Sequence, residues 1–199
     1  GVIIDSRLSF SAHYANIVSK AHQRACMIIR CFKSKDAHLL FRAFATYVRP
    51  LIDYCSLVWS PVYKCDIVKL ESVQRRFTKK LKGLHKLCYL DRLDYLKAET
   101  LEKRRLKQDL IMMYKIMHKL VDIDINELFY LNGPGVTRGH NFKLVKPLCY
   151  NNSRLHSFSC RRITCWNNLQ YDTVNLTTLN DFKNAIDHVD FTNYLIFTH

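Results

Sequence analysis

Glycine is scarce in this sequence, and its glycines do not form the array of a phosphate-binding loop. Only five of the 199 residues are glycine, whereas a phosphate-binding loop needs closely spaced glycines ahead of a helix. Apolar runs are also short, since none approaches the ~20 residues that a helix needs to span a bilayer. Residues 1–5 lack the features of a signal peptide. These absences exclude a glycine-rich nucleotide loop and predict an intracellular chain, cytoplasmic or nuclear, with no membrane partner.

Acidic residues are also few compared with basic ones. The chain has 17 aspartates and glutamates against 31 lysines and arginines, which gives a net charge of +14. Such an excess attracts polyanions and accelerates their association, although it does not specify a fold. Nucleic acid is therefore the leading candidate for a partner, and an anionic membrane surface is the weaker alternative.

Cysteine is plentiful, but its spacing does not suit a metal site. Without a secretory signal, the eight cysteines are expected to be reduced thiols. The best zinc candidate is Cys149, His156, Cys160 and Cys165, with His140 in reserve. Zinc sites usually contain a cysteine pair separated by roughly two to four residues. Cys149 and Cys160 are too far apart for this, and Cys160 and Cys165 would point to different faces of a helix. We predict buried thiols and no cofactor in this chain.

No set of residues forms a recognisable active site. Residue counts alone do not exclude a serine or cysteine triad, but no nucleophile lies in a known signature. Asp91 and Asp94 are three residues apart with Arg92 between them, and we expect them to be surface charges. His13, near the start of a helix, is expected to be a hydrogen-bonded core or capping residue. The sequence therefore predicts no catalytic residue.

The spacing of apolar residues predicts a mainly α-helical chain. Steps of three and four residues indicate a helix that starts at Ser11 and ends near Phe32. Ser34 or Asp36 can cap the next helix, and Thr100 can cap a later, longer one. Short strands are predicted at residues 2–4 and 142–147, helices at 154–169 and 179–189, and a turn at 132–135.

Residues 48–61 form a distinctive block of Arg-Pro, an aromatic apolar run and Ser-Pro. Pro50 disfavours helical geometry at Arg49. The run at 51–59 is compatible with either a helix or a strand, because its periodicity does not distinguish them. We expect Tyr54 and Trp59 to form an aromatic anchor that fixes the direction of the helix that follows.

A basic amphipathic helix is predicted over residues 66–82, ending at Gly83. Its apolar residues share one side at 100° per residue: Ile67, Leu70, Val73, Phe77 and Leu81. Its cations occupy the remaining arc: Lys69, Arg75, Arg76, Lys79, Lys80 and Lys82. Arg104 and Arg105 belong to a second cationic cluster. A solvated surface is the simpler interpretation of such charges, but only Asp66 and Glu71 offset them, and this favours binding to phosphates.

A series of short motifs occurs in a fixed order along the chain. The motifs are Gly-Val-Ile-Ile-Asp at 1–5, Leu-Ser-Phe at 8–10 with His13, the 48–61 block, Leu-Glu-Ser-Val-Gln-Arg-Arg at 70–76, Leu-Glu-Lys-Arg-Arg at 101–105, Asp-Leu at 109–110, Tyr-Lys-Ile at 114–116, Thr-Arg-Gly-His at 137–140, Trp-Asn-Asn-Leu at 166–169 and Leu-Asn-Asp-Phe-Lys at 179–183. Together they extend over nearly the whole chain. In this order they resemble the C-terminal end of a reverse transcriptase from a jockey-like, LINE-type non-LTR retrotransposon.

The resemblance implies an architecture and a partner. Residues 1–10 would be the end of a polymerase palm, residues 11–131 a thumb-like helical bundle, and residues 132–199 a small α+β C-terminal extension. The basic helix would contact the backbone of an RNA or RNA/DNA template–primer duplex, through Lys69, Arg75, Arg76, Lys79 and Lys80. A start at Gly1 rather than Met predicts an internal piece of a longer reading frame whose palm and fingers lie upstream.

The sequence departs from that family where catalysis is concerned. The family's polymerase has an aromatic-x-Asp-Asp turn, but no aspartate here is followed by another. Two-metal phosphoryl transfer needs such carboxylates, so this chain alone is predicted not to be an enzyme, whereas its parent would use Mg²⁺. Leu169 is followed by Gln170 where the family usually has Leu-Pro. The alternative is a decayed or co-opted helical module that packs against a protein partner.

Overall fold

The computed structural model describes residues 1–132 and 140–196, and most of these are helical, which confirms the mainly α prediction. The helices are α1 (Ser11–Cys31), α2 (Ala37–Tyr47), α3 (Arg49–Asp53), α4 (Ser56–Trp59), α5 (Lys64–Lys79), α6 (Tyr89–Tyr95), α7 (Leu101–Met117), α8 (Ile125–Leu128), α9 (Asn152–Leu155), α10 (Phe158–Arg161), α11 (Ile163–Asn167), α12 (Tyr171–Val174) and α13 (Leu179–Asp187), followed by a 3₁₀ helix, Thr192–Tyr194.

Contacts divide the chain into two compact units. The first contains Gly1–Arg105 with Ile196, and the second contains Leu106–Leu195. We predicted boundaries at residues 10 and 131, whereas the division falls inside α7. The reason is that Leu101 packs into the core of the first unit, while Leu106 and the residues after it build a separate core.

The core of the first unit is formed by helices α1, α2, α3 and α5. The predicted apolar side of α5 is confirmed, because all five of its residues are buried: Ile67, Leu70, Val73, Phe77 and Leu81. Phe77 stacks on Phe44 of α2 with ring centroids 4.6 Å apart. This packing fixes which side of α5 remains available to solvent.

Helices α2 and α7 begin directly after predicted capping residues, Asp36 and Thr100. Asp36 Oδ1 accepts a hydrogen bond from Leu39 N at 2.7 Å, and Thr100 Oγ1 accepts one from Lys103 N at 3.2 Å. Both bonds satisfy a backbone donor that the first turn of a helix leaves free. Helix α5 ends at Lys79, earlier than predicted, and Gly83 has a φ of +83°, a left-handed conformation that glycine adopts without steric cost.

The 48–61 block is helical, as α3 and α4. Trp59 is fully buried. Its Nε1 donates to the Tyr54 carbonyl at 2.7 Å, and its own carbonyl accepts from the Tyr14 hydroxyl at 2.8 Å. The Tyr54 side chain, by contrast, is 60% exposed. The anchor is therefore Trp59 with Tyr14 of α1, and only the backbone of Tyr54 contributes to it.

Trp59→Phe should destabilise the first unit by about 1–3 kcal/mol, because the Tyr54 carbonyl loses its buried donor and the smaller ring leaves a cavity. Denaturant unfolding measures the loss. Tyr63→Phe is the matched control, since Tyr63 is 63% exposed and its change should stay within ~0.5 kcal/mol. Equal stability of the two variants would contradict the assignment of Trp59 as the anchor.

The second unit has its own aromatic core. Trp166 and Phe182 are fully buried, and Phe182 stacks on Tyr114 with centroids 4.2 Å apart. Asn167 holds the backbone of Leu144 at both ends, because its Oδ1 accepts from Leu144 N at 2.9 Å and its Nδ2 donates to Leu144 O at 2.8 Å. The amide thus takes the place of a neighbouring strand.

The predicted strands are not formed. Within 1–132 and 140–196, strand pairing is limited to one antiparallel bridge between Leu131 and Leu144. Two backbone hydrogen bonds flank it, from Asn132 N to the Lys143 carbonyl at 2.9 Å and from Val145 N to the Tyr130 carbonyl at 2.8 Å. Residues 2–4 have no regular secondary structure, and Ile3 N donates to His13 Nδ1 at 3.3 Å. The single helix expected at 154–169 is interrupted at His156 and Arg162. Most of the predicted turn at 132–135 lies outside the described residues.

Candidate nucleic-acid interface

The solvent side of α5 carries charge of one sign. Its exposed charged side chains are all cations: Lys64, Lys69, Arg76 and Lys79. Both acidic residues of the helix, Asp66 and Glu71, are buried. Lys80 and Lys82 continue the exposed series after the helix ends. We call these six residues, Lys64, Lys69, Arg76, Lys79, Lys80 and Lys82, the α5 cationic surface.

Glu71 is directed into the interior by a hydrogen-bond network. Its carboxylate accepts from the Tyr89 hydroxyl and from Leu101 N, the latter at 3.0 and 3.1 Å to its two oxygens. Burial raises the pKa of Glu71, while these bonds and Arg105 act in the opposite direction. Because the carboxylate is bound by Tyr89 and by the first turn of α7, Glu71 contributes no negative charge to the outer surface of α5.

Asp66 offsets only one cation. Its carboxylate lies 3.6 Å from Lys69 Nζ, and the Lys69 side chain is still 56% exposed. A pair with one exposed member contributes little to stability, because water competes for the exposed Lys69 ammonium. The Lys69 ammonium therefore remains accessible to an anion that displaces the Asp66 carboxylate from it.

The predicted binding residues fall into two groups. Five of the eight lie on the α5 cationic surface: Lys69, Arg76, Lys79, Lys80 and Lys82. Arg75 is half-buried, and its guanidinium lies over the ring of Tyr89, 5.5 Å from the centroid. Arg75 thus helps to attach α6 to α5 and is less accessible than its neighbour Arg76.

Arg104 and Arg105 require a correction. Arg104 is half-buried, and its Nη2 donates to Asp53 Oδ2 at 3.1 Å. Arg105 is only 1% exposed and lies near the Glu71 carboxylate, whose pKa it lowers. Arg105 does not reach a surface on which a phosphate could bind, and Arg104 is engaged in an ion pair. Of the second predicted cationic cluster, Arg105 therefore belongs to the interior of the first unit, and Arg104 is a half-buried partner of Asp53.

The sequence did not predict two residues that belong to or lie beside the candidate interface, Lys64 and His22. Lys64 was outside the predicted helix, although Pro61 marks the end of the preceding segment and would have allowed an earlier start. His22 comes from α1 and lies beside α5, where its Nε2 is 3.5 Å from Ser72 Oγ. Burial lowers the pKa of His22, and the positive charges of Arg76 and Lys80 lower it further. No signal in the sequence indicated that α1 and α5 would bring these groups together.

The residues considered for metal binding or catalysis have ordinary surroundings. Cys149 Sγ and Cys160 Sγ are 3.9 Å apart, but no group of three potential ligands that could hold a metal ion occurs in the described ranges. His13 is buried against Trp59, which confirms a core role, and Asp91 and Asp94 are exposed, as expected of surface charges.

Association with a membrane needs either a spanning helix or a free apolar surface. Among the described residues, no helix combines the length and apolar character that crossing a bilayer requires. Binding of α5 to a membrane surface would need its apolar side to be free. That side is occupied by the core, since Phe77 is 2% exposed. The geometry therefore does not favour the membrane-surface alternative.

Comparisons with known proteins give one distant relative. An uncharacterized protein of Caenorhabditis elegans is 24% identical over 119 residues, which is 58% of this chain and 60% of that protein. The chain thus matches less than two thirds of the relative's length. No protein-family model matches the sequence, and no solved structure does so either.

Proposed function

We propose that this chain is the non-catalytic C-terminal part of an RNA-directed DNA polymerase of a non-LTR retroelement, with a thumb-like first unit that binds the template–primer duplex. In this proposal α5 contacts backbone phosphates, and the missing palm and fingers supply the catalysis and the Mg²⁺. The observation that carries the proposal is that every exposed charged side chain of α5 is a cation.

The dimensions of the α5 cationic surface support contact with several phosphates. Lys80, the C-cap of α5, lies eleven positions after Lys69, which corresponds to about 16 Å at the helical rise. One strand of a duplex presents roughly five phosphates over that distance. Contacts of lysine and arginine with phosphates carry no base information, so we expect binding that depends weakly on sequence.

The proposal is tested by the salt dependence of binding to an RNA/DNA hybrid, followed by fluorescence anisotropy. Release of counterions should make the logarithm of the affinity fall linearly with the logarithm of salt concentration, by roughly 0.7–0.9 for each phosphate contact. A complex insensitive to salt, or no complex at low salt, would contradict the proposal. The second outcome would favour the alternative of a helical protein-interaction module.

A further inference from the structure

A groove lies between α1 and α5 in the first unit. Its volume is about 190 Å³. Helix α1 contributes His22, Ala25, Cys26 and Ile29, and α5 with its C-cap contributes Val73, Arg76, Phe77 and Lys80. A water molecule occupies ~30 Å³ in the liquid, so the groove has room for a group the size of a phosphate with part of its hydration shell.

The groove has an apolar floor and a cationic rim. Ala25, Val73 and Phe77 are buried beneath it, whereas Arg76 and Lys80 are exposed at its edge. No acidic residue is among the eight that line it. An anion bound here would therefore find two permanent cations and no carboxylate competing for them.

Lys80 is directed along the groove rather than away from it. Its Nζ lies 3.9 Å from Cys26 Sγ on α1. A thiol is a weak hydrogen-bond acceptor, while an ammonium group has three hydrogens to donate. A phosphate oxygen would be a much stronger acceptor in the same place, because hydrogen bonds between ionised groups are shorter and stronger than neutral ones.

His22 lines the groove together with Arg76 and Lys80. Its pKa is lowered first by burial and then by Arg76 and Lys80, whose charges oppose protonation of the ring. Ser72 Oγ, 3.5 Å from His22 Nε2, already donates to the Lys69 carbonyl at 2.6 Å. The Ser72 hydroxyl can therefore only accept from the ring. Since no acidic residue lines the groove, the groove itself supplies no anion for its two cations.

We infer that the α1–α5 groove is a seat for one phosphate group, held by Arg76 and Lys80. If the proposed function holds, the group is a backbone phosphate of the bound duplex, and the seat fixes where α5 contacts that strand. Free phosphate compounds share the chemistry, so the seat itself is independent of whether the chain binds nucleic acid.

Cys26 provides a probe inside the groove. The full chain is treated with iodoacetamide, which is uncharged, and alkylation of each cysteine is followed by peptide mass spectrometry. Inorganic pyrophosphate is one ligand and an RNA/DNA hybrid is the other, with chloride at matched ionic strength as reference. Cys31 of α1 and Cys65 of α5 are exposed internal controls that do not line the groove. At about ten times the dissociation constant, a ligand in the seat should slow alkylation of Cys26 by about tenfold. Pyrophosphate should leave Cys31 and Cys65 unaffected. For the hybrid Cys31 is the control, because Cys65 is adjacent to Lys64 of the α5 cationic surface.

Substitutions on α5 distinguish the effect of the seat on Cys26 protection from the effect of the total positive charge. Arg76→Gln and Lys80→Gln should each weaken protection of Cys26 by pyrophosphate. Lys79→Gln is the matched control, because Lys79 is exposed and adjacent to Lys80 but does not line the groove. Equal loss of protection in Lys79→Gln and Lys80→Gln would overturn the seat, since it would show that only the total charge matters.

The two ligands make failure of the seat distinguishable from failure of the proposed function. Protection of Cys26 by both supports a seat for a backbone phosphate. Protection by pyrophosphate without binding of the hybrid supports the seat and contradicts the proposed function. If anisotropy shows that the hybrid binds while Cys26 is alkylated at its unliganded rate, the seat is overturned and the proposed function still stands. Absence of binding and of protection contradicts both.

Discussion

Replacing Arg76, Lys79, Lys80 and Lys82 together by glutamine is expected to weaken binding of an RNA/DNA hybrid about a thousandfold at ~0.1 M salt. Four lost phosphate contacts should reduce the salt slope by roughly 2.8–3.6. If the non-electrostatic part of the binding is unchanged, the plots of log affinity against log salt for the two proteins meet at ~1 M salt. At ~0.1 M salt the two affinities then differ by roughly 2.8–3.6 log units. Anisotropy titrations at several salt concentrations measure both the slope and the loss.

The control for this variant removes the same charge from other places in the first unit. Lys20, Lys33, Lys35 and Arg42 are exposed on α1, on α2 and between them. Their replacement by glutamine changes the net charge equally, so it should reduce long-range attraction to a similar degree. We expect the control to keep most of the salt slope. A similar loss in both variants would show that net charge, rather than the α5 cationic surface, determines binding.

Glu71→Ala is expected to destabilise the first unit by about 3–5 kcal/mol, because it leaves buried partners of a carboxylate without their acceptor. The partners are the Tyr89 hydroxyl, the first-turn amide of Leu101, and the nearby charge of Arg105. Urea unfolding followed by the fluorescence of Trp59, in a Trp166→Phe background that removes the second tryptophan, measures the loss in this unit.

Two further variants bracket that result. Glu71→Gln preserves shape and one acceptor oxygen, so its loss should lie between those of the wild type and Glu71→Ala. Asp91→Asn removes an exposed acid of α6 and should change stability by less than ~0.5 kcal/mol. A Glu71→Ala protein as stable as the Asp91→Asn protein would show that the network contributes no net stability.

The periodicity of α5 allowed much of the candidate surface to be predicted. Helical steps placed the apolar residues of 66–82 on one side, and all five of them are buried. A helix that uses one side for packing leaves the opposite side to solvent. The exposure of Lys69, Arg76, Lys79 and Lys80 follows from this geometry alone, with no knowledge of what packs against the helix.

The burial of Arg105 could not be predicted from apolar spacing, because charged residues are rarely buried and carry no apolar signal. Its helical position offered a hint. Leu101, Arg105 and Asp109 recur every four residues, and all three are buried. Each charged member has a partner elsewhere in the chain: Glu71 lies near Arg105, and Arg161 donates to Asp109 at 2.6 Å. Such partners depend on tertiary packing, so sequence spacing does not reveal them.

The predicted strands failed for a related reason. Alternating residues such as 142–147 indicate an extended backbone but not its hydrogen-bond partner. Here residues 130–132 pair with residues 143–145 through two backbone hydrogen bonds, and the side-chain amide of Asn167 binds the backbone of Leu144. Alternation over a few residues describes a backbone conformation, whereas a strand needs a neighbour.

The claim that α5 contacts the duplex is tested most directly by lysine acetylation with and without a saturating RNA/DNA hybrid, followed residue by residue with mass spectrometry. The account predicts that Lys64, Lys69, Lys79, Lys80 and Lys82 become protected when the hybrid binds, whereas exposed lysines elsewhere, such as Lys20 and Lys33, keep their rates. A bound hybrid that leaves the α5 lysines as reactive as before would contradict it.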